Sequence, residues 1–128
     1  MAAPTLLVVE DEDLLQDVLV IGLADSGFEV ALAKNGRQAI SMLENDPSAF
    51  NAVVTDVRLP GGTDGWAVAR RARELVSDMP ILYITGDNEH SWSLNGVPES
   101  VMLPKPFAVS QLHMAVSTLI ASSSLRRP

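Results

Sequence analysis

Five apolar segments of strand length recur along this chain, and a segment of helix length and mixed polarity follows each of them. The apolar segments are residues 5–9, 29–33, 52–55, 80–85 and 100–103. This alternation is typical of repeated βαβ units, whose strands pair in parallel with helices on both faces. In the first unit, Asp13 is the predicted N-cap of the helix and Gly27 the residue beyond its end. The sequence therefore predicts an α/β fold with a doubly wound, five-stranded parallel sheet.

Composition and charge exclude several classes of function. The chain has 128 residues, 47% of them hydrophobic, which suits one domain with a sizeable core. The formal net charge is -7, whereas surfaces that bind nucleic acids or anionic membranes need clustered lysine and arginine. The lack of cysteine excludes disulfides, thiolate metal sites and cysteine nucleophiles. Acidic residues interrupt the first apolar run, so we expect no signal peptide or membrane span and a cytoplasmic location.

Polar side chains stand where four of the five predicted strands end. Glu10 and Asp11 follow the first strand, Asp56 follows the third, Thr85 closes the fourth and Lys105 follows the fifth. In a doubly wound sheet these ends share one edge, and ligands bind in the crevice where the strand order reverses. The flavodoxin-like order 2-1-3-4-5 makes the first and third strands neighbours at that crevice. We therefore expect these side chains to meet in one pocket.

Such a pocket would hold three carboxylates, which repel one another unless a cation neutralises them. Oxygen ligands alone suit Mg²⁺. The hydroxyl of Thr85 and the ammonium of Lys105 would complete a site for a metal-bound phosphoryl group. Each residue alone also has a simpler interpretation, as a helix-dipole partner, a turn residue or an exposed lysine. Their common placement favours the shared pocket.

The segments VVEDED, VVTDVRLPGG, YITG and LPKPF stand, in this order, at the ends of the first, third, fourth and fifth strands. Together they resemble the motifs of a known family, the receiver domain of two-component response regulators. The resemblance extends from Leu6 to about Ile120. We therefore expect a receiver domain over residues 1–122 and a short flexible tail over residues 123–128.

The resemblance implies a role for each acidic residue of the pocket. Asp56 is expected to be the phosphoacceptor, which takes a phosphoryl group from a histidine kinase or a histidine phosphotransfer protein. Asp11, Asp56 and the backbone carbonyl of Arg58 are expected to bind Mg²⁺ directly. Glu10 is expected to act mainly through a metal-bound water.

Thr85 and Lys105 complete the implied chemistry. Lys105 would pair with phosphate oxygens, and the Lys105–Pro106 bond, which is cis in relatives, would aim its ammonium into the pocket. Thr85 would move toward the phosphoryl oxygen and shift an equilibrium between an inactive and an active conformation.

The resemblance implies a single-domain response regulator of bacterial phosphorelay signalling. It would act by binding a downstream protein or by passing the phosphoryl group on, and it would catalyse only its own phosphorylation and slow dephosphorylation. We expect Mg²⁺ as cofactor, no nucleic-acid or membrane partner, and a monomer or a weak phosphorylation-dependent dimer. The choice of kinase would depend on exposed positions of the first helix, with Leu14, Leu15 and Val18 as candidates.

Two alternatives remain open. One is a receiver-like module that binds its partner independently of phosphorylation, and loss of function in Asp56→Asn would exclude it. The other is a small Mg²⁺-dependent phosphohydrolase with an aspartyl-phosphate intermediate. That enzyme needs a second aspartate two residues after the nucleophile, where this chain has Arg58.

The chain departs from the family pattern in the switch region. The loop VRLPGGT after Asp56 is one residue longer than usual. Met102 stands where most relatives carry Tyr or Phe as a rotameric switch, and a thioether cannot repeat a tyrosine's hydrogen bond. Gly96 and Pro98 limit the fourth helix to residues 88–95, about two turns. The fourth helix is therefore predicted to be shortened.

Several other residues have simpler interpretations. Trp92 is a core residue or a partner anchor, and the core is favoured. His90 and His113 have no partner at ligand spacing, so solvent-facing or packed roles are expected. The arginines of the third helix are expected to form a solvated face, with docking of an acidic kinase surface as the alternative; they are Arg70, Arg71 and Arg73.

Overall fold

The computed structural model describes residues 3–86 and 89–126, with the side chains of residues 89 and 123–126 excepted. Strands and helices alternate along these ranges. The strands are β1 (Thr5–Val9), β2 (Glu29–Ala33), β3 (Ala52–Asp56), β4 (Ile81–Thr85) and β5 (Val101–Pro104). The α-helices are α1 (Asp13–Asp25), α2 (Gly36–Asn45), α3 (Gly65–Leu75), α4 (Glu89–Asn95) and α5 (Val109–Arg126), and a 3₁₀ turn covers Pro47–Ala49.

The strands form one parallel sheet in the order β2-β1-β3-β4-β5, which confirms the predicted topology. Every residue of β3 and β4 is buried, whereas the edge strands β2 and β5 are partly exposed. Apolar runs that are buried on both faces favour this parallel arrangement because helices cover both sides of the sheet. The register pairs Val9 with Thr55 and Asp56 with Ile84, so β1, β3 and β4 end at the same edge.

Alternate residues of the strands contribute to two apolar layers, one on each face of the sheet. Leu7 and Val53 belong to the layer that α2 and α3 cover. Leu6 and Val54 belong to the layer that α1 and α5 cover. Burying each such side chain contributes about 1.5–3 kcal/mol. The two layers therefore hold the strand ends in a fixed relation to one another.

The helix starts follow the local side-chain chemistry. The side chains of Asn35 and Asp64 cap α2 and α3 by accepting hydrogen bonds from backbone N–H groups at 2.8 and 2.9 Å. The predicted N-cap of α1 is wrong by one residue, since Glu12 occupies that position and Asp13 is already helical. The carboxylate two residues before Glu12 accepts its N–H and so fixes this earlier start. Gly27 follows the end of α1 with a φ of 93°, as predicted.

The short fourth helix is confirmed. It covers Glu89–Asn95, and the predicted start at Asn88 lies outside the described residues. A Cβ at Gly96 would collide with Trp92, so only glycine lets the chain turn this closely around the indole. Trp92 packs half-buried against the apolar layer under α3, and its Nε1–H donates to Ser100 Oγ at 3.0 Å. These contacts favour the core interpretation of Trp92.

The arginines of α3 differ in their roles. Arg70 is exposed, and Arg71 pairs with carboxylates of α2 and α3 at 3.0 and 3.4 Å, as expected for a solvated face. For Arg73 the prediction is wrong, because its guanidinium donates to the carbonyls of Met79 and Pro98, each at 2.6 Å. Arg73 thus joins α3 to the segments that precede β4 and β5.

The last helix is longer than predicted. The sequence predicts a helix over residues 108–123, whereas the helical backbone continues to Arg126. Extending an established helix fixes one residue for each added hydrogen bond, so weak helix formers such as serine can continue it. The domain boundary at residue 122 stays a prediction. Across residues 3–86 and 89–126, no helix combines the length and the apolarity that a membrane crossing requires.

Gly65 provides a test of how closely α3 approaches β3. A Cβ at this position would collide with the backbone carbonyl of Asp56. We predict that Gly65→Ala lowers the free energy of unfolding, measured in urea, by about 1–3 kcal/mol, the usual cost of overpacking. The control is Gly86→Ala, where a Cβ would contact none of the residues that the structure describes and a change below about 0.5 kcal/mol is expected. Unchanged stability in Gly65→Ala would contradict the close approach.

Candidate functional site

The strand ends bring the predicted polar residues to one edge of the sheet. Glu10 follows β1, Asp56 and Thr85 end β3 and β4, and Lys105 follows β5. The backbone N–H of Lys105 donates to the Thr85 carbonyl at 2.9 Å, which extends the pairing of β4 with β5 by one residue. Glu10, Asp56 and Thr85 are buried, and Lys105 is half-buried. These groups therefore lie together at one edge of the sheet, at the ends of its strands.

Three carboxylates converge in this pocket. One carboxylate oxygen from each of Glu10, Asp11 and Asp56 lies within 4.8 Å of the other two. Asp11 is exposed, whereas the other two residues are buried, so the cluster opens to solvent on the side of Asp11. Like charges at this separation are unfavourable unless positive charge balances them. A donor set made only of oxygens fits a hard divalent cation.

Glu10 supplies a buried oxygen that is suited to a cation. Its Oε2 accepts a hydrogen bond from the Glu12 N–H at 2.9 Å, whereas its buried Oε1 has no hydrogen-bond partner among the described residues. Burial raises the pKa of Glu10 from its ordinary value of 4.5 to about 7. The hydrogen bond from Glu12 lowers this pKa, whereas the negative charge of Asp56 raises it further. Protonation or a bound cation would each relieve this cost.

A salt bridge joins Lys105 to Asp56. The distance from Lys105 Nζ to Asp56 Oδ2 is 3.1 Å, and the side chains are 32% and 9% exposed. The ion pair offsets part of the cost of burying the Asp56 carboxylate and fixes the orientation of that group. The Lys105–Pro106 peptide bond is cis, which confirms the expectation drawn from the family resemblance.

Two further predicted residues lie near Asp56 in the sheet or in the sequence. Thr85 ends the strand that lies between Asp56 on β3 and Lys105 beyond β5. Arg58 lies two residues beyond Asp56, in the loop between β3 and α3, and its side chain is exposed. The roles of Thr85 as a switch and of the Arg58 carbonyl as a metal ligand stay predictions.

Comparison with known proteins decides the family. A family model described as the response regulator receiver domain matches residues 6–117. The chain belongs to this family. Receiver domains act in two-component signalling, generally as regulatory modules and not as enzymes, and they interact with histidine kinases and phosphotransfer proteins.

Individual relatives agree with this assignment. The receiver is similar to a response regulator receiver protein from Sinorhizobium medicae, with 44% identity and a TM-score of 0.91 over 94% of this chain and 97% of that chain. It is 34% identical to response regulator MprA of Mycolicibacterium vanbaalenii over 117 residues, which cover 90% of this chain and 49% of that protein. The chain thus spans about half the length of the curated relatives it matches.

A third relative bears on the acidic cluster. The receiver domain of a sensor histidine kinase from Pseudomonas aeruginosa is 28% identical, with a TM-score of 0.81 over 94% of this chain and 99% of that chain. Its crystal structure has a magnesium ion coordinated in the active site cleft. The likeness supports comparing that cleft with the cluster of Glu10, Asp11 and Asp56.

The loop between β3 and α3 leaves the start of α3 against the end of β3. Gly61 and Gly62 have φ angles of 88° and 85°, a left-handed conformation that glycine adopts at little cost. The N–H of Gly65 donates to the Val57 carbonyl at 2.8 Å. The loop therefore turns at its two glycines and brings the start of α3 back to the end of β3.

Sequence reasoning missed Gln16. Its Nε2 donates to the backbone carbonyl of Glu10 at 2.6 Å, and the residue is only 6% exposed. Gln16 lies on the buried face of α1 in register with Leu19 and Leu23. A polar residue three and seven positions before two core leucines was a signal that the sequence did carry.

Tyr83 was missed as well. Its ring packs against Trp66, with ring centroids 4.6 Å apart, and its hydroxyl accepts a hydrogen bond from the Val97 N–H at 3.1 Å. Burial raises the pKa of Tyr83, so the hydroxyl stays protonated. The strand register places Tyr83 directly beside Met102. A buried aromatic residue of β4 is therefore the strand neighbour of Met102 on β5.

Features outside the pocket carry less chemistry. A cavity of about 670 Å³ lies at the opposite end of the sheet, between Arg73 and Pro98. His90 is exposed, and the ring of His113 lies 6.3 Å from that of Phe28. The two histidines are thus solvent-facing or packed, as predicted.

Glu10 gives a pH-dependent term in stability. Its pKa is about 7 in the folded protein against an ordinary value of 4.5, so the folded state binds more protons in this interval and loses stability as the pH rises through it. We predict that Glu10→Gln removes this loss, because the amide stays neutral. In EDTA, the variant should match the wild type below about pH 4.5 and exceed its Tm above about pH 7. A Tm difference that does not change with pH would contradict the assignment.

Proposed function

We propose that this receiver accepts a phosphoryl group on Asp56 from a histidine kinase or a histidine phosphotransfer protein, with Mg²⁺ as cofactor. One observation carries the proposal: an ammonium group 3.1 Å from the Asp56 carboxylate and two further carboxylates within 4.8 Å of it. A carboxylate in this setting is oriented by a cation and lies beside metal ligands, as in-line phosphoryl transfer requires. The phosphorylated receiver then binds a downstream protein or passes the phosphoryl group on.

Asp56 acts as the nucleophile. One of its carboxylate oxygens forms a bond to phosphorus while the P–N bond of the donor phosphohistidine breaks, and the imidazole leaves with the electron pair and takes up a proton. The product is an acyl phosphate on Asp56. Lys105 stabilises the charge on the phosphoryl oxygens. Slow hydrolysis of the acyl phosphate restores the carboxylate and is the only turnover that we expect.

The acidic cluster is the proposed Mg²⁺ site. Asp11, Asp56 and the backbone carbonyl of Arg58 would hold the ion directly, and Glu10 would do so through a water. When bound, Mg²⁺ neutralises the carboxylates and polarises the phosphoryl oxygens. Two observations support this assignment: the buried Oε1 of Glu10, unpaired within the described ranges, and the magnesium ion in the active site cleft of the Pseudomonas relative.

Thr85 is the proposed switch residue. It is buried at the end of β4, next to the strands that lead to Asp56 and Lys105. A hydrogen bond from its hydroxyl to a phosphoryl oxygen would favour one of two conformations. Since Met102 cannot form the hydrogen bond of a tyrosine, the response that follows must differ from the usual aromatic swing.

The exposed apolar side of α1 is the proposed docking surface for the phosphodonor. Leu14, Val18 and Ile21 are 75%, 45% and 61% exposed and are spaced to form one stripe along the helix. The sequence predicted the first two of these residues and missed Ile21. A cavity of about 370 Å³ beside the stripe is lined by Leu15 and Lys105. A partner helix packed on this stripe would therefore lie close to Lys105.

The assembly state is also a proposal. We infer a monomer, or a weak dimer that forms on phosphorylation. Exposed apolar residues on α4 and α5 supply surface for such a contact, with Leu94 and Met114 at 70% and 67% exposure.

Acetyl phosphate tests the acceptor assignment directly. We predict that incubation with acetyl phosphate and Mg²⁺ adds the mass of one phosphoryl group, measured on the intact protein, because a small donor needs only the pocket. Asp56→Asn and an EDTA-treated wild type should show no gain. An unmodified wild type, also with histidine kinases as donors, would leave the phosphorylation-independent binding module as the function.

The role of Lys105 is testable by rate. We predict that Lys105→Met lowers the initial rate of phosphorylation by acetyl phosphate about 10²-fold, because it removes a charge that acts on the phosphoryl oxygens. Lys105→Arg keeps the positive charge but places it on a planar guanidinium group, so it should give an intermediate rate. A time course of intact masses at saturating Mg²⁺ measures both. A wild-type rate in Lys105→Met would contradict the role.

A further inference from the structure

We infer that Gln16 is a positioning residue for the metal site: its carboxamide fixes the peptide between Glu10 and Asp11 and thereby arranges both carboxylates to receive Mg²⁺. The inference rests on the proposed function and adds to it a residue of α1 that touches neither the metal nor the phosphoryl group. The juxtaposition that carries it is the hydrogen bond from Gln16 Nε2 to the Glu10 carbonyl, at 2.6 Å.

The position of Gln16 argues against a role in packing alone. It belongs to the buried face of α1, where Leu19 and Leu23 are 1% and 0% exposed and Gln16 is 6% exposed. A leucine or methionine would fill such a site without the cost of burying an amide. That cost is offset only where the amide is hydrogen-bonded, and here its donor meets a backbone carbonyl. The side chain is therefore suited to this one bond.

The bond from Gln16 is one of three hydrogen bonds that fix the backbone and the side chain of Glu10. The N–H of Glu10 donates to the Ala33 carbonyl at 3.0 Å, which continues the pairing of β1 with β2. Its Oε2 accepts from the Glu12 N–H at 2.9 Å, and its carbonyl accepts from Gln16. Backbone and side chain are thus both fixed, and Oε1 is left as a buried acceptor with no partner in the part of the chain that the structure describes.

The same bond acts on Asp11. The carbonyl of Glu10 and the N–H of Asp11 belong to one planar peptide unit, so a hydrogen bond that fixes the carbonyl also fixes the direction in which Asp11 leaves the strand. Asp11 is exposed, and its carboxylate is held near Glu10 and Asp56 against charge repulsion. Rotation of this peptide would relieve the repulsion and disperse the ligands. Gln16 opposes that rotation.

Outer residues that orient metal ligands typically change metal affinity without touching the metal. We therefore expect Gln16→Met, which keeps the length of the side chain and removes its donor, to weaken binding of Mn²⁺ about tenfold. Mn²⁺ alone is the probe, followed by electron paramagnetic resonance on the wild type and the variant. Gln16→Met keeps the carboxylate ligands and loses only their arrangement before the metal binds. The phosphorylated fraction of the variant should therefore return to the wild-type level at high Mg²⁺ concentration.

A matched control is Gln38→Met. The Gln38 side chain also bonds a backbone group, accepting from the Lys34 N–H at 2.7 Å, but it is exposed and lies beyond the edge strand β2. Its Mn²⁺ affinity should equal that of the wild type. If Gln16→Met does not fold, Gln16→Ala takes its place, since a smaller side chain removes the donor and lets water reach the carbonyl.

The outcomes separate this inference from the proposed function. Weaker Mn²⁺ binding in the Gln16 variant alone, restored at high Mg²⁺, supports it. Unchanged Mn²⁺ affinity in a folded Gln16 variant overturns it and leaves Gln16 a structural residue, even if the Tm falls, while the proposed function stands. A wild type that binds no Mn²⁺ overturns the metal site and this inference together.

Discussion

The parallel pairing of β1 with β3 is the constraint on which the rest of the site depends. The register that pairs Val9 with Thr55 brings the next residues, Glu10 and Asp56, to one level at the sheet edge. Two buried carboxylates at this distance repel each other and lose hydration. The surrounding contacts offset that cost: Lys105 pairs with Asp56, and the Glu12 N–H binds Glu10. The carboxylate cluster thus destabilises the fold locally, and the burial of the two apolar layers offsets this cost.

Contacts around the pocket come from elements that are far apart in sequence. The salt bridge between Lys105 and Asp56 joins residues 49 positions apart and reaches past β4, so it couples the edge strand β5 to the centre of the sheet. Gln16 couples α1 to the end of β1 in the same way. A change in charge at Asp56 therefore acts on several elements at once. This connectivity suits the phosphorylation of Asp56 that we propose, because a local charge must alter a distant surface.

Two aromatic side chains hold the α4 side of the sheet. Tyr83 lies on the strand that carries Thr85, adjoins Met102, and holds the Val97 N–H beyond α4. Trp92 holds the following turn through Ser100. The short helix is thus fixed by two aromatic side chains instead of by its own length, which is consistent with the low intrinsic stability of a two-turn helix.

The sequence by itself determined the fold class, the short fourth helix and the meeting of Glu10, Asp11, Asp56 and Lys105. The fold class follows from the alternation of apolar and mixed segments, the short helix from Gly96 and Pro98, and the meeting from the rule that parallel strands share their carboxyl ends. The order 2-1-3-4-5 was adopted with the flavodoxin-like form, and the sheet confirms it. Only the tertiary structure decided that Gln16 bonds the Glu10 carbonyl, that Tyr83 holds Val97, that Arg73 binds two carbonyls, and that Glu12 replaces Asp13 as the N-cap of α1. Each of these depends on one or two hydrogen bonds between elements, or on a shift of one residue at a helix start. Their partners are chosen by packing over a few ångströms, which no pattern of polarity along the chain specifies.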